Sequence, residues 1–585
     1  VNDPNSVSTA ESVTTDAVFR RAVRSRHFTN GGRQVIDRWI VDSEPSTRYP
    51  IYTRGNVGEV FPDPVAPLSA DFITMGAEPG WRDAFERFGA FDSSEFDPGN
   101  NEIIGIFGGY CYLNVSISRI LGVRTPGLTA ESIDFQLWGE MPGVPPYAAQ
   151  PSDESPAHTE RIQQTLGWIL TTESHDELLA DEKVLDDLRD NRPDLTKMTD
   201  RELVDHARSL FTDHFRHLFG RHLFTTYAST VPVGIIQGVC EAVGRPGDML
   251  KLLAGVGDVE SAAPSYAMWN LSRLEAGSEK FNVAFAEFLN EYGARGPNEW
   301  ESRSPTWETE PELALVAIEQ MRRTPDSGSP IDHQAARSDE RERIGAEITE
   351  MLAGDPETQG QFVAALRAAP IFLAGRERSK TNAIRLTHEL RLAFVELGKR
   401  YVEKGYFDNV NSYGMLRWDE LDQAIDDPAS LTETLRAREH DYADLNTVEP
   451  PFVFEGEPPP VSTWSKRGGR VVAVASDGDT LQGMPGCPGV AQGRARVILD
   501  SHDPTSLEPG DVLVAPITDP SWTPLFVPAA GVIVDVGAPL SHAIIVSREL
   551  GIPCVVSVTD ATRRIPDGAL VEVNGDTGTV TVLST

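Results

Sequence analysis

Apolar residues recur at threes and fours through the middle of the chain. Between Glu160 and Val243 this spacing places Leu203, Ala207, Leu210, Phe211 and Phe215 on a common helical face. Two further helical blocks are predicted. One is Ser278–Tyr292, ending at Gly293; the other runs from about Ser338 to Gly405 as several helices, with a break at Gly354-Asp355-Pro356. Ahead of them, Tyr49–Pro67 is punctuated by Gly55, Gly58, Pro62, Pro64 and Pro67, which predicts an ordered loop. After the helical blocks the pattern changes. Pro450-Pro451, Pro458-Pro459-Pro460 and Gly468-Gly469 bracket a segment without periodicity, predicted to be a semi-rigid arm. Short β-branched runs follow at Ala495–Leu499, Asp511–Ala515, Gly531–Val536, Pro553–Val558, Leu570–Val573 and Thr579–Leu583. One helix, Ser541–Leu550, interrupts them and is stopped by Gly551 and Pro553.

The expected fold class is multidomain α+β: a large, mainly helical domain over 46–447, then a small α/β domain over 478–585. Residues 448–477 form the Pro/Gly-rich linker between them, and 1–45, with Arg20, Arg21, Arg24 and Arg26, are expected to be a flexible N-terminal arm. The length of 585 residues suits such a division.

Composition narrows the function. Asp plus Glu number 88 against 52 for Lys plus Arg, a formal net charge of −36. Such a surface repels phosphate backbones and anionic bilayers, so nucleic acid and membrane are not expected partners. Any anion must therefore be held by a few placed groups. Cys111, Cys240, Cys487 and Cys554 form no CxxC pair, which excludes the usual zinc motifs and a disulfide scaffold. The start Val1-Asn2-Asp3-Pro4 lacks a signal layout, and no apolar run looks long enough to span a bilayer. A cytoplasmic, soluble protein is expected.

The sharpest local feature is Gly537-Ala538-Pro539-Leu540-Ser541-His542, followed by a helix carrying Arg548-Glu549-Leu550-Gly551-Ile552-Pro553. With Ser541 as N-cap, His542 falls in the first turn, beside free backbone N–H groups and the positive end of the helix dipole. An imidazole there can attack phosphorus as a nucleophile. The segment closely resembles the phosphohistidine signature of the swivelling domain in phosphoenolpyruvate-utilising enzymes and rifampicin phosphotransferases. Pro488-Gly489-Val490-Ala491-Gln492-Gly493 resembles the opening of the same domain, and Thr518–Phe526 is most similar to the rifampicin phosphotransferase branch. The helical part resembles that branch's acceptor-binding region at Arg54–Val60, Tyr112–Asn114, Tyr292–Glu299 and Arg376–Lys380.

The resemblance implies a phosphotransferase in which His542 carries the phosphoryl group. Neither an ATP-grasp domain nor a pyruvate-binding barrel is recognisable, and there is no GxxxxGK[ST]. The layout is similar to the phosphohistidine subunit of two-component phenylphosphate synthase and cresol-phosphorylating systems. It implies a separate ATP-grasp subunit holding ATP and Mg²⁺, with AMP and phosphate released, and a small hydroxyl-bearing aromatic acceptor such as a phenol. Two alternatives are a phosphocarrier serving another protein and a rifamycin-type antibiotic phosphotransferase with its ATP domain in trans.

Candidates for the transfer step follow. Arg376 and Lys380, four apart, share a helix face and could hold the phosphoryl group. Ser541 and Arg295 are further phosphate-binding candidates, and Glu377 could take the acceptor's proton. Glu299, across Gly296-Pro297 from Arg295, could enter the substrate pocket, as could His214, His217 and Phe215. The set His214, His217 and His222 lacks a carboxylate or Cys to complete a metal site, so a pocket-wall role is expected and no metal is assigned.

Overall fold

The computed structural model describes residues 26–30, 33–138, 143–254, 263–326, 332–469, 472–499, 507–518, 522–537 and 541–585. Strands β1 (Arg26–Asn30) and β2 (Arg33–Arg38) pair as an antiparallel hairpin. Directly after it, Trp39 is fully buried and donates its indole N–H to the Val65 carbonyl at 3.3 Å. The expected boundary of a flexible arm at residue 45 is therefore corrected: 26–30 and 33–45 are ordered, and Trp39 belongs to the helical domain's core. Residues 1–25 lie outside the described residues.

A four-stranded antiparallel sheet caps that domain. It comprises β3 (Ile51–Thr53), β4 (Ile104–Phe107), β5 (Tyr110–Asn114) and a strand from far along the chain. The predicted loop Tyr49–Pro67 thus contains β3 and one helical turn, Val57–Val60. After the short β6 (Val448–Glu449), β7 (Val453–Glu455) adds to β3, giving the order β4-β5-β3-β7. Phe454 stacks on Tyr52 with ring centroids 5.4 Å apart. Then β8 (Ser465–Lys466) pairs with β6, and Arg467 forms an ion pair with Asp63 at 2.9 Å. The predicted arm 448–477 is mostly part of the helical domain, because Val453–Glu455 pair with β3 and bury Phe454 against Tyr52, a contact that proline counting overlooks.

The core of the helical domain is built on Arg216–Ala242, packed between Glu78–Phe88 and Pro356–Glu403. The first contact is close because both helices offer glycine: a Cβ on Gly80 would lie 2.6 Å from the Arg216 carbonyl oxygen, and one on Gly220 would lie 2.8 Å from that of Gly80. By length and composition, Asp200–Ala242 could cross a membrane, contrary to the reading that no run is long enough; 56% of its most apolar window is buried in this core. The break at Gly354-Asp355-Pro356 is where expected, with Asp355 capping the next helix. That helix, expected as several pieces, runs unbroken for 48 residues. Between Asn382 and Leu397 it is buried on most of its circumference, so its apolar positions mark no single stripe.

The C-terminal domain holds β9 (Thr480–Gln482), β10 (Met484–Cys487), β11 (Val490–Val497), β12 (Val512–Ala515), β13 (Gly531–Val534), β14 (Cys554–Val556), β15 (Leu570–Asn574) and β16 (Thr579–Ser584). Their order is β10-β14-β13-β12-β11-β15-β16-β9, with β11 to β14 parallel. Strand β11 is long enough to serve two partners: Val490–Arg494 pair with β15 and Ala495–Val497 with β12. Both faces of the parallel part are covered, so its strands read as continuous apolar runs. Val512, Val514 and Ile533 face one core, while Leu513, Ala515, Val532 and Val534 face another under the helix His542–Leu550.

Candidate active site

His542 opens its helix after Ser541, whose backbone is extended at φ −68° and ψ 156°; left-handed Gly551, φ 73°, closes it. Ser suits the cap and Gly the C-terminal turn. The Ser541 hydroxyl is buried and bonds nothing among the described residues, so it does not cap its own helix. It and the first-turn N–H groups are donors beside the imidazole, an arrangement that receives an anion.

Both ring nitrogens of His542 meet threonine hydroxyls, Nδ1 with Thr518 at 3.1 Å and Nε2 with Thr523 at 3.1 Å. The edge of Phe526 packs at 5.9 Å. Burial, then the charge of Lys380, pushes His542 down to about 3, so the ring is neutral, one nitrogen carrying hydrogen and the other a lone pair. Sequence reasoning assigned no role to Thr518 and Thr523, although both lie in the Thr518–Phe526 block that carried the resemblance.

Lys380, Glu377 and Arg295, all from the helical domain, face His542 electrostatically. The two domains are thus docked with the histidine facing Lys380 and Arg295. Packing supports this: Tyr266 lies against the core under the His542 helix, and Val527 against the cluster of Phe288 and Trp307.

Arg376 and Lys380 stand on one face of Pro356–Glu403, as their spacing predicted. Arg295 and Glu299 form a buried ion pair at 3.1 Å, Lys380 reaches Glu299 at 3.2 Å, and Arg295 also donates to Thr381 at 2.7 Å. Glu377, buried, lies 3.5 Å from Arg376. Arg548, four per cent exposed, faces Arg376 and Glu377 from the other domain, and its Nε and Nη1 have no partner among the described residues. Four cations therefore meet three carboxylates, Glu299, Glu377 and Glu549, the last beside Arg548. Glu59 adds a fourth acidic group, which burial pushes up to about 7 despite Arg376 and Lys380. Cations from both domains thus converge near His542.

The loop carrying Arg295 and Glu299 is stapled to the same long helix. Arg391, one per cent exposed, donates to the carbonyls of Ser302 at 3.1 Å, Glu299 at 2.8 Å and Glu301 at 3.0 Å. His388 meets Glu308 at 2.9 Å.

The three grouped histidines separate. His217 is exposed and bonds Asp181 at 3.0 Å, which removes it from the expected pocket, and His214 is half-buried with no role the geometry assigns. His222 is at the site: its Nδ1 lies 3.2 Å from the Ser379 hydroxyl, and its ring packs on Trp300 and Phe219. Phe215 lines, with Phe219, Phe72, Phe61 and Trp300, a small apolar cavity of about 20 Å³. Trp300 and Glu59 escaped sequence reasoning as individual residues, since a lone Trp and a motif Glu carry no spacing signal.

Comparison with known proteins agrees with this division. The mobile domain of PEP-utilising enzymes matches residues 507–578, which include Thr518, Thr523 and His542. The fourth domain of rifampicin phosphotransferase matches 271–377, which include Arg295, Glu299, Trp300, Arg376 and Glu377. An uncharacterized protein of Mycobacterium tuberculosis is 28% identical over 586 residues, covering 93% of this chain and 62% of its own length. Rifampicin phosphotransferase of Streptomyces sviceus is 28% identical over 354 residues, 59% of this chain and 39% of its own. An uncharacterized phosphotransferase of Bacillus subtilis is 30% identical over 308 residues, 51% of this chain and 36% of its own. The chain thus spans under two thirds of each of these relatives. The mobile-domain match encloses the histidine and the fourth-domain match encloses most of the groups facing it, so in both regions the chain is similar to PEP-utilising, rifampicin phosphotransferase-like enzymes.

Proposed function

We propose that this chain is a phosphotransferase that passes a phosphoryl group from His542 to the hydroxyl of a small aromatic acceptor, such as a phenol. The observation that carries the reading is the neutral imidazole of His542, held by two threonines and facing Lys380 and Arg295 across the domain contact. A phosphoryl group on that ring would lie among Ser541, Arg295, Arg376 and Lys380, where charge neutralisation and positioning supply most of the catalysis. Charging is assigned to an ATP-grasp unit outside these 585 residues, acting on ATP and Mg²⁺ in dikinase fashion and releasing AMP and phosphate. The acceptor's class rests on the aromatic lining of Phe215, Phe219 and Trp300, whose small cavity must widen to admit one ring and suits a phenol better than a macrocyclic antibiotic.

Potassium phosphoramidate tests the reading without the ATP-grasp unit. His542 attacks its phosphorus, the P–N bond to ammonia breaks, and a new N–P bond forms on the ring. We expect one phosphoryl group per chain, absent in His542→Ala, and its passage to added phenol as phenyl phosphate. Phenyl phosphate formed equally well by His542→Ala would refute the mechanism. Charged protein that discharges only to a second protein would favour the phosphocarrier.

A further inference from the structure

We propose that His222 is the base that takes the proton of the attacking hydroxyl, an inference that rests on the transfer reading above. The hydrogen bonds around the ring determine which nitrogen can do so. Ser379 donates its hydroxyl hydrogen to the Arg376 carbonyl at 2.9 Å. Its oxygen, 3.2 Å from His222 Nδ1, is then available only as an acceptor, so Nδ1 carries the ring hydrogen. The neutral ring's lone pair is consequently on Nε2. Among the described residues Nε2 has no hydrogen-bond partner, and it is not a buried atom. A histidine whose one nitrogen is fixed by a backbone-anchored hydroxyl, and whose other carries an open lone pair, is oriented to receive a proton once the neighbouring cations are neutralised.

Its ring packs on two residues of the apolar cavity and shares Lys380 and Glu377 as neighbours with His542. Phe219 packs edge-on against the ring at 6.4 Å and Trp300 lies at 6.0 Å; both also line the apolar cavity. Arg376, Lys380 and Glu377 are the charged groups that face it, all on Pro356–Glu403, and they also surround His542 or its partners. Burial and the two cations hold the ring neutral before transfer. A phosphoryl dianion arriving on His542 offsets Arg376 and Lys380 and so raises the basicity of Nε2 when a base is needed. Glu377, the base expected from sequence, is engaged instead with Arg376 at 3.5 Å.

The step balances. The hydroxyl oxygen attacks phosphorus as its hydrogen moves to His222 Nε2. The P–N bond to His542 breaks with its electron pair returning to the ring nitrogen, which leaves as neutral imidazole because the other nitrogen keeps its hydrogen against a threonine. The proton on His222 passes to solvent when the domains part.

His222→Gln tests this, since an amide can accept a hydrogen bond and cannot take the proton. Both proteins are charged with potassium phosphoramidate, and phenyl phosphate is followed after adding phenol from pH 6 to 10. His222→Gln should charge at His542 as the wild type does, then transfer roughly 10²-fold more slowly at pH 7, the lower range for general-base catalysis. Its rate should rise about tenfold per pH unit as phenol itself ionises, while the wild-type profile stays much flatter. Equal rates and parallel profiles would overturn the proposal. Charged wild type that forms no phenyl phosphate would overturn the transfer reading and this inference together. Nitrogen-15 NMR of histidine-labelled wild type tests the premise independently of activity: hydrogen on Nδ1 of His222 supports it, and hydrogen on Nε2 overturns it.

Discussion

Two half-buried histidines make this protein sensitive to acid, and each effect can be isolated. His542 and His222 are both pushed down from the ordinary 6.5 to about 3, first by burial and then by neighbouring cations. The sign follows from proton counting. Below 6.5 the unfolded chain binds a proton at each histidine that the folded chain refuses until about pH 3, so stability falls as pH falls. Between pH 7.5 and 5.0 the unfolded histidine gains about 2 kcal/mol from protonation while the folded one gains essentially nothing, at about 1.36 kcal/mol per pH unit. Carboxyls act in the opposite sense. Asp42 and Glu59 are each raised to about 7 by burial, so the folded protein takes up their protons first and gains stability over the same window. The wild-type profile mixes the two, and the difference between wild type and a histidine variant separates them. Urea unfolding of wild type, His222→Asn and His542→Asn at pH 7.5 and 5.0 should show each variant gaining about 2 kcal/mol relative to wild type at the lower pH. Parallel profiles would mean that the rings titrate normally and are not held neutral by their surroundings, which would refute the reasoning.

Three further outcomes are expected. Arg391→Met leaves the buried Glu299 carbonyl without its donor, while Ser302 keeps Tyr413 and Glu301 keeps Ser304; it should cost about 1–3 kcal/mol in urea unfolding, with loss of transfer because the Arg295–Glu299 loop loses its staple. Gly220→Ala forces a Cβ to within 2.8 Å of the Gly80 carbonyl oxygen; separating the two helices should cost about 1–3 kcal/mol, read from the same measurement. Lys380→Gln removes the leading charge acting on His542 and should raise the histidine's titration midpoint by NMR while slowing phenyl phosphate formation from charged protein; an unmoved midpoint would place Lys380 outside the site.

Legibility from sequence followed the range of the interactions. The strands β12 and β13 and the helix His542–Leu550 were readable because their signals are local: Val512–Ala515 is a short apolar run, and Ser541 and Gly551 bound one turn-to-turn segment. The arm over 448–477 misled for the converse reason. Phe454 earns its burial against Tyr52, some four hundred positions away, and a proline-rich context hides a strand whose partner is that distant. The long helix was legible at its Asp355 start and illegible inside, where neighbours on every side erase periodicity.

The site divides in the same way. Arg376 and Lys380 were placed by helical spacing, a local property, whereas choosing His222 over His214 and His217 needs three dimensions. Along one helical run the three histidines look alike, and what distinguishes them is Asp181 beside His217 and Ser379 beside His222. The net charge of −36 has a similar bearing. A surface so acidic attracts no phosphate from a distance, so on the proposed transfer reading selectivity for the phosphoryl group arises on docking, when Arg548 and Ser541 from one domain meet Arg295, Arg376 and Lys380 from the other. Neither half alone holds the full set of these groups. On that reading, capture of the phosphoryl group and closure of the two domains are one event, and hydroxyls that reach either half alone meet an incomplete site.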